Sequence, residues 1–367
     1  IPIGLMRIFI RGWLRKSAME LEASPPMNPV KGADRRLDVF IPSFTMSRSA
    51  HTASLQLSLA SQLQDGDRLI HIVERCPELA HFLREDVLWD SQAELVIVEV
   101  KEKFSGVSEA RNIGLSFPSS SELIAFVDDD AVPLEGWVRA LRFAAEKFPD
   151  AVGFTGPSIP NYEEGARQLC DEVLWAVSCS PDTGKGVHQI RNMWGLNMAF
   201  RRTSIEGMGG FRGELGASGF TEGKGLGGEE PDFAVRLQHR TGGKILWIPE
   251  MMVSHFVPKS RTSIGYLMFR SAKEGRTKAV LRRLFMRYPI DSVGGMKTEN
   301  RHLIRIIFFS IPSFLLLIPL KPITSMLAIR DIIASTWMVG SRYLWYRTLG
   351  NQMTSEIINK IEKIPEK

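Results

Sequence analysis

The sequence predicts an α/β fold built on a parallel sheet with helices on its faces, and three observations carry that prediction. Short apolar, β-rich runs alternate with segments of helical spacing from Leu37 to Asp128, an order that needs crossover helices rather than hairpins. The fourth such run, ELIAFVD, ends in three consecutive aspartates, Asp128, Asp129 and Asp130. Ligands of such sheets bind outside the carboxyl ends of the strands, which is where these carboxylates fall. Beyond Val152 the alternation loosens into longer loops and isolated strands.

The elements follow in order. LDVFI (37–41) reads as the first strand. The run from Ser49 to Leu63 suits a helix, because Leu55, Leu59 and Leu63 recur every four residues on one face. RLIHIVE (68–74) is the second strand, PELAHFLRED (77–86) a helix and ELVIVEV (94–100) the third strand. SEARNIGLS (108–116) is a helix and ELIAFVD (122–128) the fourth strand. Later strands are expected at GLNMAFR (195–201) and GKILWIP (243–249). Seven of the sixteen residues from Gly213 to Gly228 are glycine, which marks a functional lid or a disordered loop. EEPDFAVRLQHR (229–240) reads as a helix. Its acids lie in the first turn and Arg236 and Arg240 toward its end, as the helix dipole favours.

At 367 residues the chain has room for one large domain plus an appendage, or for two domains. Its 44% hydrophobic and 24% charged residues exclude a disordered or fibrous protein. Cys76, Cys170 and Cys179 form no disulfide framework and show no metal-ligand spacing, so a reducing compartment is expected. The net charge of +5 is unevenly placed: Lys259 to Arg305 holds twelve Lys/Arg against three Asp/Glu, a local net of +9. Such a block beside apolar segments suggests an anionic surface, membrane or nucleic acid. Residues 1–16 are apolar and basic but lack the long apolar stretch and cleavage site of a secretory signal. An interfacial helix and a frayed end both remain open there, and Met6 is a candidate start. Residues 21–36, with three prolines, read as a linker.

One aspartate after a strand is an ordinary turn residue. Three in a row repel one another unless a cation or donor groups neutralise them, and hard oxygen ligands suit Mg²⁺ or Mn²⁺. Asp128 and Asp130, two apart on an extended segment, point the same way. Asp129 faces elsewhere, as a solvated or helix-capping carboxylate.

Taken in order, FIPSFTMSR (40–48), VSEARNIGL (107–115), FVDDDAVP (126–133), GLNMAFRR (195–202), GGEEPDFAVRL (227–237) and VSHFV (253–257) resemble the family 2 glycosyltransferases. These are inverting enzymes of the GT-A fold that use nucleotide-sugar donors. The resemblance spans roughly residues 36–260 and implies a Rossmann-like nucleotide-binding half, an acceptor half and a mixed central sheet. It implies that Pro42, Ser43, Arg48, Glu74, Arg111, Asn112, Asp128 and Asp129 lie against the donor, with Asp129 in the variable slot of the DxD motif. Asp130 and His255 are implied as ligands of Mn²⁺ or Mg²⁺. Trp194, Asn197 and Glu229 are implied on the acceptor side. An acceptor hydroxyl needs a general base opposite the leaving group. The family's slot for it falls on Glu230, with Asp232 as the rival. The chain departs from the family where Met46, Ser47 and Arg48 replace the frequent Asn-Arg, where Glu74 replaces Asp, and where Glu230 replaces the usual Asp.

In the last third, residues 306–320 are fifteen uncharged, mostly apolar residues with prolines at 312 and 319. That is short of the roughly 20 needed to span a bilayer. Residues 323–349 are amphipathic, with Trp337, Tyr343, Trp345 and Tyr346 suited to an interface. The expected organisation is therefore an extension at 1–35, a glycosyltransferase domain at 36–260 and a helical, membrane-associating region at 261–367. The expected partners are a nucleotide sugar, a lipid-linked or glycan acceptor and an anionic membrane surface on the cytoplasmic face, with no nucleic acid. A non-catalytic membrane-bound binder of the same fold and a sugar nucleotidyltransferase-like enzyme are the alternatives.

Overall fold

The computed structural model describes residues 35–101, 106–180, 186–216, 226–286, 288 and 310–348. The segment at 1–16, nearly all of the 21–36 linker, most of the basic block beyond Met286 and the start of the 306–320 run lie outside them.

The first four apolar runs form parallel strands. β1 (Leu37–Ser43) lies between β2 (Arg68–Glu74) and β4 (Leu123–Val127), and β3 (Glu94–Val100) pairs with β2. Their crossovers hold α1 (Ser49–Ala60), α2 (Pro77–His81) and α3 (Val107–Ser116). Two elements are shorter than their periodicity suggested. Leu63 lies just past the turn that closes α1, its N–H donating to Leu59 O at 2.9 Å, yet it stays buried and keeps its packing role. The helix expected at 77–86 widens into a π-helical turn over Phe82–Asp86.

Beyond β4 the sheet becomes mixed. β6 (Ala151–Thr155), β8 (His188–Ile190), β9 (Asn197–Arg201) and β10 (Lys244–Trp247) complete the order β3-β2-β1-β4-β9-β6-β10-β8. β9 runs antiparallel to both β4 and β6. A second sheet joins β5 (Ala131–Pro133), β11 (Val253–Val257) and β7 (Ser158–Tyr162), with β11 in the middle.

Because side chains alternate along a strand, β1 and β4 feed two cores. Val39, Ile41, Ala125 and Val127 pack with Leu55 and Leu59 of α1 and with Trp137 and Leu141 of α4 (Trp137–Lys147). Phe40, Ile124 and Phe126 face Phe200, and Phe233 of α6 (Glu229–Thr241), which follows the short α5 (Arg202–Ile205). Phe126 stacks on Phe40 at 5.6 Å and meets Phe200 and Phe211 edge-on at 6.4 and 6.0 Å. Each such pair is worth about 1 kcal/mol beyond its buried area. α3 comes close to this aromatic layer at Gly114, where a Cβ would stand 2.7 Å from Phe126.

Among the described residues, three α-helices follow the second sheet: α7 (Ile264–Phe285), α8 (Ile311–Leu317) and α9 (Pro322–Thr348). Ser263 caps α7 by accepting from Tyr266 N at 3.2 Å. α7 and α9 touch at Gly275, where a Cβ would lie 2.5 Å from Val339 O and 2.9 Å from Arg342 Cβ. Val257, Leu267 and Ile332 share a core with Leu169, Val173, Leu174 and Val177, and buried Asp331 pairs with Arg167. Ile323, Met326, Ile333, Trp337 and Leu344 are exposed along one stripe of α9. No helix among the described residues is long and apolar enough to cross a membrane.

His71, in the middle of β2 between Ile41 and Ile97, is fully buried and neither ring nitrogen has a partner. Burial alone holds its pKa at about 3 in the folded chain, against 6.5 when exposed. Between these values the unfolded chain binds a proton that the folded chain refuses. Stability is therefore intact above about pH 6.5 and is lost as the pH falls toward 3, by up to about 1.4 kcal/mol per pH unit. Urea midpoints at pH 7.5 and pH 5 should fall further for the wild type than for His71→Leu. Equal losses would remove His71 from the acid response.

Candidate active site

The site is assembled where β1 and β4 end. Asp128 follows β4, and the turn closed by Ala131 N donating to Asp128 O (3.0 Å) leads into β5. β5 lies antiparallel to β11, with Ala131 opposite His255. The small sheet thus delivers His255 to Asp130, with Nε2 at 3.3 Å from Oδ1. The other ring nitrogen, Nδ1, meets Cys179 Sγ at 3.6 Å. Burial works against a charged imidazole, but the hydrogen bonds and charge of Asp130 and Cys179 outweigh it and raise His255 to about 9. Burial likewise opposes the Asp130 carboxylate, yet His255, Arg48 and Arg261 hold it well below the usual range. Arg48 spans two carboxylates, Nη1 lying 2.5 Å from Asp129 Oδ1 and 3.1 Å from Asp130 Oδ2. Asp129 is not the solvated or capping residue expected from its place in the run. It is buried against Arg48, and burial pushes it up to about 7.

Beside this cluster stands a second one, centred on Arg111 of α3. Its guanidinium is buried and donates from Nη1 to Glu229 Oε1 (3.0 Å) and Glu230 Oε1 (3.2 Å), and from Nη2 to Asp128 Oδ1 (3.2 Å). Burial disfavours the charge, but Glu230, Asp128 and Glu229 together raise its pKa further. Phe211 lies under the guanidinium at 5.7 Å. Glu229 is buried with Oε2 unpartnered, and burial plus the charge of Glu230 hold its carboxyl above the ordinary range. Glu230 is open, its side chain 20% accessible, and Asp128 is 33% accessible.

The remaining sequence candidates divide. Asp232 is sealed: its oxygens accept from Arg212 Nη1 and Arg236 Nε, both at 2.9 Å, and its side chain is 0% accessible. Asn197 lies in the core rather than in a cleft. Its amide accepts from Trp137 Nε1 (2.9 Å) and donates to Met251 O (2.7 Å), which leaves nothing for an acceptor. Asn112 clamps a loop, donating to Phe211 O at 2.9 Å and accepting from Phe211 N at 2.7 Å. Trp194 is partly buried against the α1-side core. Pro42 and Ser43 end β1, where Ser43 Oγ is buried without a partner. Glu74 ends β2.

Residues 74–209 match the model of glycosyl transferase family 2. Over that span, a little more than a third of its length, the chain is similar to that family. The match includes Arg111 and Asp128–Asp130 but stops short of Glu229, Glu230 and His255. A glucosyl-dolichyl phosphate glucuronosyltransferase of Haloferax volcanii is 24% identical over 253 residues, covering 68% of this chain and 78% of that protein. The succinoglycan biosynthesis protein ExoM of Rhizobium meliloti is 31% identical over 180 residues, 47% of this chain and 52% of that one. The mannosyltransferase PcManGT of Pyrobaculum calidifontis, solved with GDP-Man and Mn²⁺, superposes with a TM-score of 0.53 at 16% identity, covering 92% and 94% of the two chains. That likeness places the mixed sheet among GT-A folds. The protein is a nucleotide-sugar glycosyltransferase.

Among the described residues of this transferase, no group of three or more His, Cys, Asp or Glu is gathered as a metal cage. Asp130 and His255 nevertheless face each other as a carboxylate oxygen and an imidazole nitrogen. Once His255 gives up the proton it shares with Asp130, that pair would suit Mn²⁺ or Mg²⁺ completed by phosphate oxygens and water. Two side chains lie outside the sequence motifs, and a glycine inside one of them has a role its motif did not reveal. Cys179 orients His255 from 76 residues away, and Phe211 supports Arg111. Gly195 lets the chain pass directly over the carboxylates, since a Cβ there would run into Glu230 Oε1 and Arg111 Nη2. Gly195→Ala should lower turnover about 10²-fold, the cost of displacing reacting groups by about an ångström. Gly265→Ala, where a Cβ meets nothing within 4 Å, should leave turnover unchanged. Similar rates for both variants would mean that Glu230 and Arg111 tolerate displacement.

Proposed function

We propose that this enzyme moves a hexose from a nucleotide sugar to a lipid-linked or polysaccharide acceptor, by metal-assisted, inverting, in-line displacement at a membrane surface. The observation that carries this reading is the joining of Asp128 to the Glu229–Glu230 pair by one buried guanidinium. A donor-side carboxylate and a solvent-reaching carboxylate are thereby held at one place. Glu230 rather than Asp232 is the base, because Asp232 is sealed between two arginines while Glu230 reaches solvent. Glu230 takes the proton of the acceptor hydroxyl as its oxygen bonds to the anomeric carbon. The bond from that carbon to the diphosphate oxygen breaks on the opposite face, which inverts the configuration. Asp128 and the end of β1, Pro42 to Arg48, receive the nucleotide with Glu74. Trp194 borders the acceptor.

Asp130 and His255 would hold the divalent cation, whose contribution when bound is to offset the charge of the leaving diphosphate. In this reading residues 36–260 contain the transfer machinery and 261–367 meet the membrane. The stripe of α9 with Trp337 would enter the interface, and the Lys/Arg-rich stretch would face anionic headgroups on the cytoplasmic side. The names of the Haloferax and Rhizobium relatives support lipid-phosphate or polysaccharide chemistry.

Glu230→Gln keeps shape and hydrogen bonding but cannot accept a proton. It should cut kcat by about 10²–10⁴-fold, with nucleoside diphosphate affinity nearly unchanged. Asp232→Asn leaves Arg212 and Arg236 without their shared carboxylate and should cost about 3 kcal/mol of stability, with kcat largely kept in the folded fraction. Reversed results would make Asp232 the base.

The membrane reading predicts sedimentation with vesicles containing anionic lipid and release by high salt. Binding should also fall in an Ile333→Glu, Trp337→Glu variant of unchanged melting temperature. Equal sedimentation by the variant would take α9 off the membrane.

A further inference from the structure

Helix α7 places a cation beside the transfer site that no side chain pairs. Lys273 is partly buried, and among the described residues it makes no hydrogen bond or ion pair. Its helical neighbours differ: Arg270 and Lys278 both reach Glu274, at 3.6 and 3.8 Å. The Lys273 side chain lies along the backbone just before the two glutamates, with Cε 3.8 Å from the position of a Cβ on Gly227. That placement is fixed. Thr277 Oγ1, one turn further along α7, donates to Leu226 O at 2.5 Å, and Gly228 packs against Thr277 and Leu281.

Burial and the nearby charge of Arg270 disfavour the ammonium, while Glu229 and Glu230 attract it, and the balance lowers its pKa. A lysine serving only to neutralise Glu229 and Glu230 would contact one of them. Both instead bond Arg111, and Lys273 stays beyond ion-pair distance. An ammonium partly stripped of water and given no acceptor is costly unless an anion arrives.

We infer that Lys273 is a phosphate-binding residue of the transfer site, taking an oxyanion of a substrate beside Glu230. This rests on the reading of Glu230 given above. The oxyanion has two sources: the diphosphate of the donor, or a phosphodiester one sugar away from the accepting hydroxyl. Both sources present the same oxyanion chemistry to Lys273, and the probes below separate them.

The test is calorimetric titration of the full-length protein with Mn²⁺ present. The probes are UDP, GDP, farnesyl glucosyl phosphodiester and octyl glucoside, against wild type, Lys273→Met and Lys273→Arg. Methionine keeps the aliphatic stem, and matched melting curves confirm folding. Lys273→Met should weaken the phosphodiester at least about 10-fold, the usual worth of a charge-assisted hydrogen bond. Octyl glucoside should be unaffected, and Lys273→Arg should restore most of the loss. A loss confined to UDP or GDP would support phosphate binding and assign it to the donor. Unchanged affinities for every phosphate probe, with wild type binding UDP or GDP normally, would overturn the inference while leaving the glycosyltransferase reading intact. Wild type binding no nucleoside diphosphate would undo that reading itself. A melting curve lowered in both variants would move the comparison to Lys273→Gln, with the same outcomes deciding.

Discussion

A charge buried without water needs several partners at once, and Arg111 satisfies that need with three carboxylates from two separate places in the chain. Asp128 comes from the end of β4, and Glu229 and Glu230 from the first turn of α6. The arrangement is stable only as a set. Without Arg111 the three carboxylates would repel one another in a poorly hydrated pocket, and without the carboxylates its guanidinium would be stranded. The aromatic layer beneath fixes the arginine from below, and Gly195 allows the chain to close over it. The relative position of donor end and base therefore depends on one side chain of α3.

The Asp130–His255 cluster is built differently. Asp130 and His255 meet because β5 and β11 pair, not because a helix aims a side chain. The Arg48 contacts then tie the end of β1 to the same carboxylates. The three consecutive aspartates divide the work by direction: Asp128 turns to Arg111, Asp129 to Arg48, and Asp130 to both Arg48 and His255. Their mutual repulsion, the puzzle of the sequence, is relieved by two arginines and one histidine that lie far apart in the chain.

The four leading strands were legible because buried parallel strands carry long apolar runs, and β2 and β3 begin and end where those runs do. The acidic first turn of α6 was legible for a similar local reason. What stayed hidden was pairing across distance. Asp232 looked like a rival base because nothing near it in sequence reveals Arg212 as its partner. Asn197 and Asn112 looked like ligand contacts because a polar side chain in a motif gives no sign of whether its amide is already spent on backbone. Neither β5 of the small sheet nor β8 at the edge of the large one could be read, since each spans only three residues. Short strands carry no periodicity.

The helices after β11 are not a removable module. Val257, Leu267 and Ile332 close one core with Leu169, Val173 and Val177, Arg167 is bonded to Asp331, and Leu226 O accepts from Thr277. Truncating the chain near residue 260 would uncover that core and leave an arginine without its acid. It would also release the backbone that leads into Glu229. The seam drawn by composition is thus not a seam in packing, and a trimmed catalytic piece would lose the alignment of its own carboxylates before losing any residue that performs chemistry.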